Sequence, residues 1–175
     1  MNRKKINEEV IIDIASLVQI DKTCLLDLAI SAKKNERKRI RLCAHGDIDS
    51  RLHEMFIIHE KDTYVRPHKH LNNSESFHII SGEADIIIFH DDGSIQKVIS
   101  MGDYQSGKIF YYRLKAPDFH TMLIRSEKLI FHETTGGPFI RSNTIFADWS
   151  PEEKNLLEVN IFLNDLKGRL NEVII

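Results

Sequence analysis

His68-Lys69-His70, then Glu75, then Gly82 set two imidazoles two residues apart, a carboxylate five positions on and a glycine seven beyond that. On an extended chain, residues i and i+2 point to the same face, so His68 and His70 can grip one ion together. The polar run Leu71 to Ser74 reads as a short connection that returns the chain with Glu75 aimed into the same space. A strand, Phe77 to Ile80, follows at once, and Gly82 marks a turn that needs positive φ or a close backbone approach. Two imidazoles and a carboxylate are an incomplete set for a transition metal. His120, after the turn-like Lys115-Ala116-Pro117-Asp118 and before the apolar Met122-Leu123-Ile124, is the best candidate for the missing ligand.

Three neutral imidazoles and one carboxylate suit Fe(II), Mn, Co, Ni, Cu or Zn without choosing among them, so the expected cofactor is one divalent transition metal. An octahedral shell then keeps positions open, where a metal can polarise a substrate oxygen, acidify water or hold a substrate beside dioxygen. Arg66 shares strand parity with His68 and His70, provided Pro67 does not break the strand. It is therefore a candidate for binding an anionic substrate group, with Tyr64 as a second substrate contact. Glu133, a second carboxylate for proton transfer, and Tyr112 are the candidate catalytic groups. For each of these a plainer reading exists: a rim ion pair for Arg66, and packing for Tyr64, Tyr111 and Tyr112. His78 lies on the opposite parity from Glu75 and, like His132, reads as a structural histidine. His45, His53, His59 and His90 have no spacing that singles them out, although the linker carrying His45 could fold over the site.

The spacing His68, His70, Glu75, Gly82 matches in full the first motif of the cupin superfamily, and His120 occupies the place of the histidine in the second. Lys115 and Pro117 stand where the second motif usually has Pro and Gly. Tyr64-Val65-Arg66-Pro67-His68, Glu75-Ser76-Phe77-His78, Phe110-Tyr111-Tyr112-Arg113 and Gly137-Pro138-Phe139 resemble the WbuC-type cupin-fold metalloproteins over roughly residues 20 to 153. The resemblance implies a mainly β chain, a small antiparallel jelly-roll barrel with an N-terminal and a C-terminal helix packed outside. It also implies a metalloenzyme acting on a sugar or nucleotide sugar in surface-polysaccharide (lipopolysaccharide O-antigen) biosynthesis, with isomerisation or epimerisation the favoured class. The same ligands would serve an Fe(II)-dependent dioxygenase, or a non-catalytic module that binds a small ligand.

The chain has 175 residues, 42% of them hydrophobic, which fits one structural domain with a sizeable core. We divide it into an N-terminal strand and helix extension (1–45), the barrel (46–140) and a C-terminal helical extension (141–175). With 24 basic and 26 acidic residues, the net charge of -2 offers no general attraction to nucleic acid or anionic membrane. The basic cluster Lys33-Lys34, Arg37-Lys38-Arg39 and Arg41 reads as a solvated helix end and linker, because no aromatic residues interleave it. Cys24 and Cys43 suggest no disulfide framework, and Met1-Asn2-Arg3-Lys4-Lys5 is followed by Glu8, Glu9 and Asp13 rather than an apolar leader core. The expected location is the cytoplasm, with a small-molecule partner, no nucleic acid, no membrane, and homodimerisation through exposed strand edges.

Val10 to Ile14 is expected as a strand, and a helix from Asp21 or Thr23 carries Leu25, Leu28, Ala29 and Ala32 on one face. Strands are predicted at Ile40–Cys43, Glu54–Ile58, Thr63–Arg66, Ser76–Ile80, Ala84–Phe89, Ile95–Ile99, Phe110–Arg113, Thr121–Ile124 and Lys128–Thr134, with a hairpin turn at Asp91-Asp92-Gly93. A last helix is predicted from Pro151 to about Lys167, with Ser150 as N-cap, Glu153 completing a capping box, and Leu156, Val159, Leu163 and Leu166 as its buried stripe. The residues after it, through Ile175, are expected to be able to pair with a neighbouring subunit.

Overall fold

The computed structural model describes residues 2–115 and 117–173, so the expectation for the last residues lies partly outside the described ones. In chain order the strands are β1 (Arg3–Asn7), β2 (Val10–Asp13), β3 (Arg39–Cys43), β4 (Leu52–Glu60), β5 (His68–His70), β6 (Glu75–Ser81), β7 (Glu83–Phe89), β8 (Ile95–Gly102), β9 (Tyr111–Leu114), β10 (Phe119–Ile124), β11 (Lys128–Gly136) and β12 (Thr144–Phe146). Helix α1 spans Lys22–Lys34 and α2 spans Leu156–Val173.

The strands form two sheets, a seven-stranded one in the order β1-β2-β3-β4-β11-β6-β9 and a five-stranded one in the order β12-β5-β10-β7-β8. All pairings are antiparallel except β2 with β3. The chain is thus mainly β with two helices, but the sheets do not close into a barrel as expected. Among the described residues each sheet keeps two edge strands of its own, β1 and β9 in the wide one and β12 and β8 in the narrow one, and no ladder joins them. The 1–45 segment supplies β1 to β3 of the wider sheet and the 141–175 segment supplies β12 of the narrower one.

Alternation along the strands sorts side chains to two faces. Met55, Ile57, Phe77 and Phe131 of the wide sheet meet Ile86 and Met122 of the narrow one in the central core. Asp21 caps α1 by accepting a bond from the Cys24 backbone N–H (2.8 Å), and Cys24, Leu28, Ala29 and Ala32 pack on Leu42, Ile58 and Ile130 on the outer face of the wide sheet. Helix α2 covers the outside of the narrow sheet, setting Val159, Leu163, Leu166 and Leu170 on Ile87, Phe89 and Leu123. Each such aliphatic burial contributes roughly 1.5–3 kcal/mol.

Two expectations are corrected here. Thr63 to Arg66, expected as a strand, enters no ladder. Helix α2 begins at Leu156 rather than Pro151 and runs beyond Lys167 to Val173, leaving Leu156 69% exposed and adding Leu170 to the buried stripe. The turn before it is pinned by tertiary bonds that a helix would break. Tyr64 Oη donates to the Pro151 carbonyl (2.9 Å), Ser150 Oγ donates to the Ala147 carbonyl (2.8 Å), and Glu153 is drawn to Arg37 and Arg39. Asn155 takes over the capping role, its Oδ1 accepting from the Glu158 backbone N–H at 3.4 Å.

Candidate metal centre

The three-residue strand β5 lies between β12 and β10, so His68 stands opposite both Phe146 and His120, while His70 stands opposite Thr144. Glu75 arrives from the other sheet, as the first residue of β6. The connection that delivers it is tied down by Asn73 Nδ2 donating to the Gly136 carbonyl (2.8 Å) and Thr135 Oγ1 donating to the Ser74 carbonyl (3.2 Å). One ligand atom from each of His68, His70, Glu75 and His120 falls within 4.8 Å of all the others, a cluster that could hold a metal ion. Nε2 of His120 is 2.9 Å from Glu75 Oε1, and Nε2 of His70 is 3.3 Å from Glu75 Oε2.

The outer nitrogens of the rings have their own partners. Nδ1 of His68 is 2.8 Å from the Arg66 carbonyl, Nδ1 of His120 is 3.0 Å from the Asp118 carbonyl, and Nδ1 of His70 is 3.2 Å from Thr144 Oγ1. A carbonyl accepts only from a protonated nitrogen, so in neutral His68 and His120 the Nε2 lone pairs face inward, the arrangement of metal-ligating histidines. The fit is tested by His120 Nε2, which is buried and close to Glu75 yet off the line of a hydrogen bond, so it has no hydrogen-bond partner among the described residues. An orphaned buried nitrogen is costly unless something else occupies its lone pair.

The electrostatics are those of a charge-poor pocket around one anion. Burial, with the neighbouring His120, lowers His68 to about 3 and keeps it neutral. Burial opposes ionisation of Glu75, but the surrounding imidazoles overcome it and hold the carboxyl well below its ordinary range. His120 is disfavoured as a cation by burial and favoured by Glu75, and the net direction is upward. Tyr112, on β9 opposite Phe77, donates its Oη to Glu75 Oε1 (2.9 Å). Burial and Glu75's charge hold its phenol well above the ordinary value. Its role in this geometry is therefore a fixed donor to Glu75. Glu133 shares the inner face of the wide sheet, two strand positions from Thr135, the partner of Glu75. Burial first, and then the charge of Glu75, push its carboxyl up to about 8, against the pull of Arg41 and His120.

Arg66 and Tyr64 are placed elsewhere. The Arg66 guanidinium lies 5.1 Å over the Phe146 ring and donates to Ser150 Oγ (3.2 Å) and the Ala147 carbonyl (3.3 Å). What Arg66 gives the cluster is its carbonyl, on His68. Tyr64 is buried under α2, edge-on to Phe162, and burial pushes its phenol up to about 12. The Arg66 expectation assumed strand parity, but the chain enters a ladder only at His68. His78 is exposed, and half-buried His132 lies tilted against Phe56 on the outer face, as parity required. His45 does not close over the cluster; its ring stacks on His53 (4.0 Å between centroids). Thr144 and Tyr112 hold the site's ligands but carry no sequence signal of that role, since each depends on a long-range strand pairing.

A family described as a domain of unknown function (DUF6016) matches residues 20–101. No curated protein matches the chain. Among solved structures, Bacillus subtilis oxalate decarboxylase, studied for its Mn(II) centres, is similar at 18% identity and a TM-score of 0.44 over 55% of this chain and 24% of its own. CapF, a capsular polysaccharide assembling protein of Staphylococcus aureus, is similar at 15% identity and a TM-score of 0.46 over 56% of this chain and 27% of its own. Brassica napus procruciferin, an 11S globulin, is similar at 15% identity and a TM-score of 0.43 over 54% of this chain. These neighbours are cupin-fold proteins. The chain spans only 22% of procruciferin, and about a quarter of each of the other two. No helix among the described residues is long and apolar enough to cross a membrane.

Proposed function

We propose that the chain binds one divalent transition metal through Nε2 of His68, His70 and His120 and the carboxylate of Glu75, and acts there on a small polar substrate. The observation that carries this reading is the convergence of those four ligand atoms within 4.8 Å, with the outer nitrogen of each ring already engaged. When bound, the metal supplies Lewis-acid polarisation of a substrate oxygen or a binding position for dioxygen. The chain does the rest. It keeps His68 neutral, keeps Glu75 ionised under the Tyr112 hydroxyl, and sets Glu133 nearby as a carboxyl that can take or give a proton. A group of that kind favours an enzyme over a metal that only steadies the fold. Kinship with the WbuC-type proteins belongs to this reading, with isomerisation or epimerisation of a sugar or nucleotide sugar as its first reaction class and Fe(II)-dependent dioxygenation as its second.

Elemental analysis of untagged protein purified without added metal, beside His70→Ala, tests the proposal. Near-stoichiometric metal that disappears in the variant is the expected result. Iron directs the next assay to oxygen consumption, and manganese, nickel, cobalt, copper or zinc to sugar isomerisation. Glu133→Gln should then keep the metal and lose turnover. A wild type that takes up no metal even after reconstitution overturns the reading.

A further inference from the structure

Of the clustered side chains, Glu75 and His120 are 3% exposed, while His70 keeps 22% of its surface. Solvent therefore reaches the cluster at His70, the last residue of β5, and the strand that borders β5 there is β12, the edge of the narrow sheet. Directly paired residues share a face of a sheet. Thr144 and Phe146, opposite His70 and His68, thus point inward with the ligands, and Ile145, opposite Lys69, points outward. The contacts agree: Thr144 Oγ1 lies 3.2 Å from His70 Nδ1, and the Phe146 ring is 6.1 Å from the His68 ring between centroids. The site already uses Thr144, but it gives Phe146 no task.

Phe77, Phe89 and Phe131 are buried in the cores, whereas Phe146 is 39% exposed. A lone exposed apolar side chain is ordinary on a protein surface. What distinguishes this one is its place, against a candidate metal ligand, and its support. One face of the ring carries the Arg66 guanidinium, 5.1 Å from the centroid, which is itself tied through Nε to Ser150 Oγ and through Nη2 to the Ala147 carbonyl. The backbone beyond the ring is pinned by the Ala147 N–H, which donates to the carbonyl of fully buried Pro67 at 2.9 Å. Arg66 also accepts from His68 Nδ1 through its carbonyl, so one residue sets the ring and the ligand relative to each other. A ring held in this way has little side-chain freedom left to lose when something packs on it.

We propose that Phe146 is the platform for the ring of a cyclic substrate, saturated or aromatic, whose polar end lies at the His68, His70, Glu75 and His120 cluster. The proposal rests on the metal reading for the position of that polar end. A ring presents a flat apolar face of C–H groups or π electrons, and an aromatic side chain packs on either more extensively than on a short acyclic chain. Arg66 covers one face of Phe146 and leaves the other face and the edge for this contact. Phe146 thereby selects by the part of the substrate outside the metal shell, and the cluster by the part within it.

The test is calorimetric titration of metal-loaded protein with acetohydroxamate, cyclohexanecarbohydroxamate and benzohydroxamate, which share a chelating head and carry a methyl group, a saturated ring or an aromatic ring. Elemental analysis and light scattering follow the metal content and oligomeric state of the same samples. Wild type should bind at least one ring compound about fivefold or more tighter than acetohydroxamate. Preference for the saturated ring points to a sugar-like body, and preference for the planar ring to an aromatic one. Phe146→Ala should keep its metal, lose most of the preference and bind acetohydroxamate within about twofold of wild type, while Phe146→Leu keeps part of the preference. Ile145→Ala, on the outer face of the same strand, should match wild type. Equal affinity for all three compounds in wild type, a preference that survives Phe146→Ala, or an equal loss in Ile145→Ala overturns the inference and leaves the metal reading standing. Loss of acetohydroxamate together with the ring compounds in Phe146→Ala overturns it too, making Phe146 a prop for His68. A Phe146-dependent dimer without ring preference gives the surface to a second copy and likewise overturns it. A wild type that takes up no metal overturns both readings.

Discussion

Tyr112→Phe removes one oxygen from the site and leaves the ring where it is, edge-on to Phe77 with centroids 5.1 Å apart. The lost group donates at 2.9 Å to a carboxylate that is 3% exposed. A hydrogen bond to a buried charged acceptor is worth about 1.5–3 kcal/mol. At this chain length each kcal/mol moves the melting temperature by about 2–4 °C, so metal-free Tyr112→Phe should melt roughly 3–12 °C below wild type. Partners that orient a metal ligand typically carry 10–100-fold in affinity, and a competitive titration against a chromophoric chelator should show a loss in that range. The measurement belongs near pH 7.5, where Glu75, whose carboxyl is held well below its ordinary value, is ionised in both folded and unfolded chains. Its contribution to stability is present above the unfolded value and fades as pH falls through the folded one. If metal-free stability stays within about 0.5 kcal/mol of wild type and metal affinity within twofold, Tyr112 is not fixing Glu75 and its assigned role is wrong.

Two further substitutions probe the frame around the site. His59 is buried, its ring edge-on to Phe131, and burial, helped by Arg39 and Arg41, lowers it to about 3. A folded value below the unfolded one means stability is complete above the unfolded value and is lost as pH falls toward the folded one. His59→Leu should therefore flatten the pH dependence of unfolding between pH 6.5 and 5 by up to about 2 kcal/mol; parallel wild-type and variant curves would refute the assignment. Gly82 sits at φ 93°, and a Cβ there would lie 2.3 Å from the Lys128 carbonyl oxygen. Gly82→Ala should cost more than about 2 kcal/mol by urea denaturation, against less than about 0.5 for Gly46→Ala, where nothing lies within 4 Å. Equal midpoints for the two variants would show that the turn after β6 relaxes freely.

The parts of the fold written in short-range pattern are the parts the sequence reveals. Asp21 and the spacing of Leu28, Ala29 and Ala32 announce α1, and alternation marks β6, β7, β10 and β11 to within a residue or two. The capping box at Ser150 is equally local, yet it loses. Its residues are engaged from far away by Tyr64, Arg66, Arg37 and Arg39, and those bonds outweigh about a turn of solvent-exposed helix. Strand β12 has three residues and no pattern of its own, so only its pairing with β5 defines it.

The same division runs through the site. His68, His70 and Glu75 lie within one short segment, and their common direction follows from backbone parity and a brief connection. His120 needs a neighbouring strand, and the apolar run after it supplies that signal. Arg66 is where the parity argument overreaches. It has the right chemistry and the right count from His68, but parity fixes direction only inside a ladder, and the chain enters one only at His68.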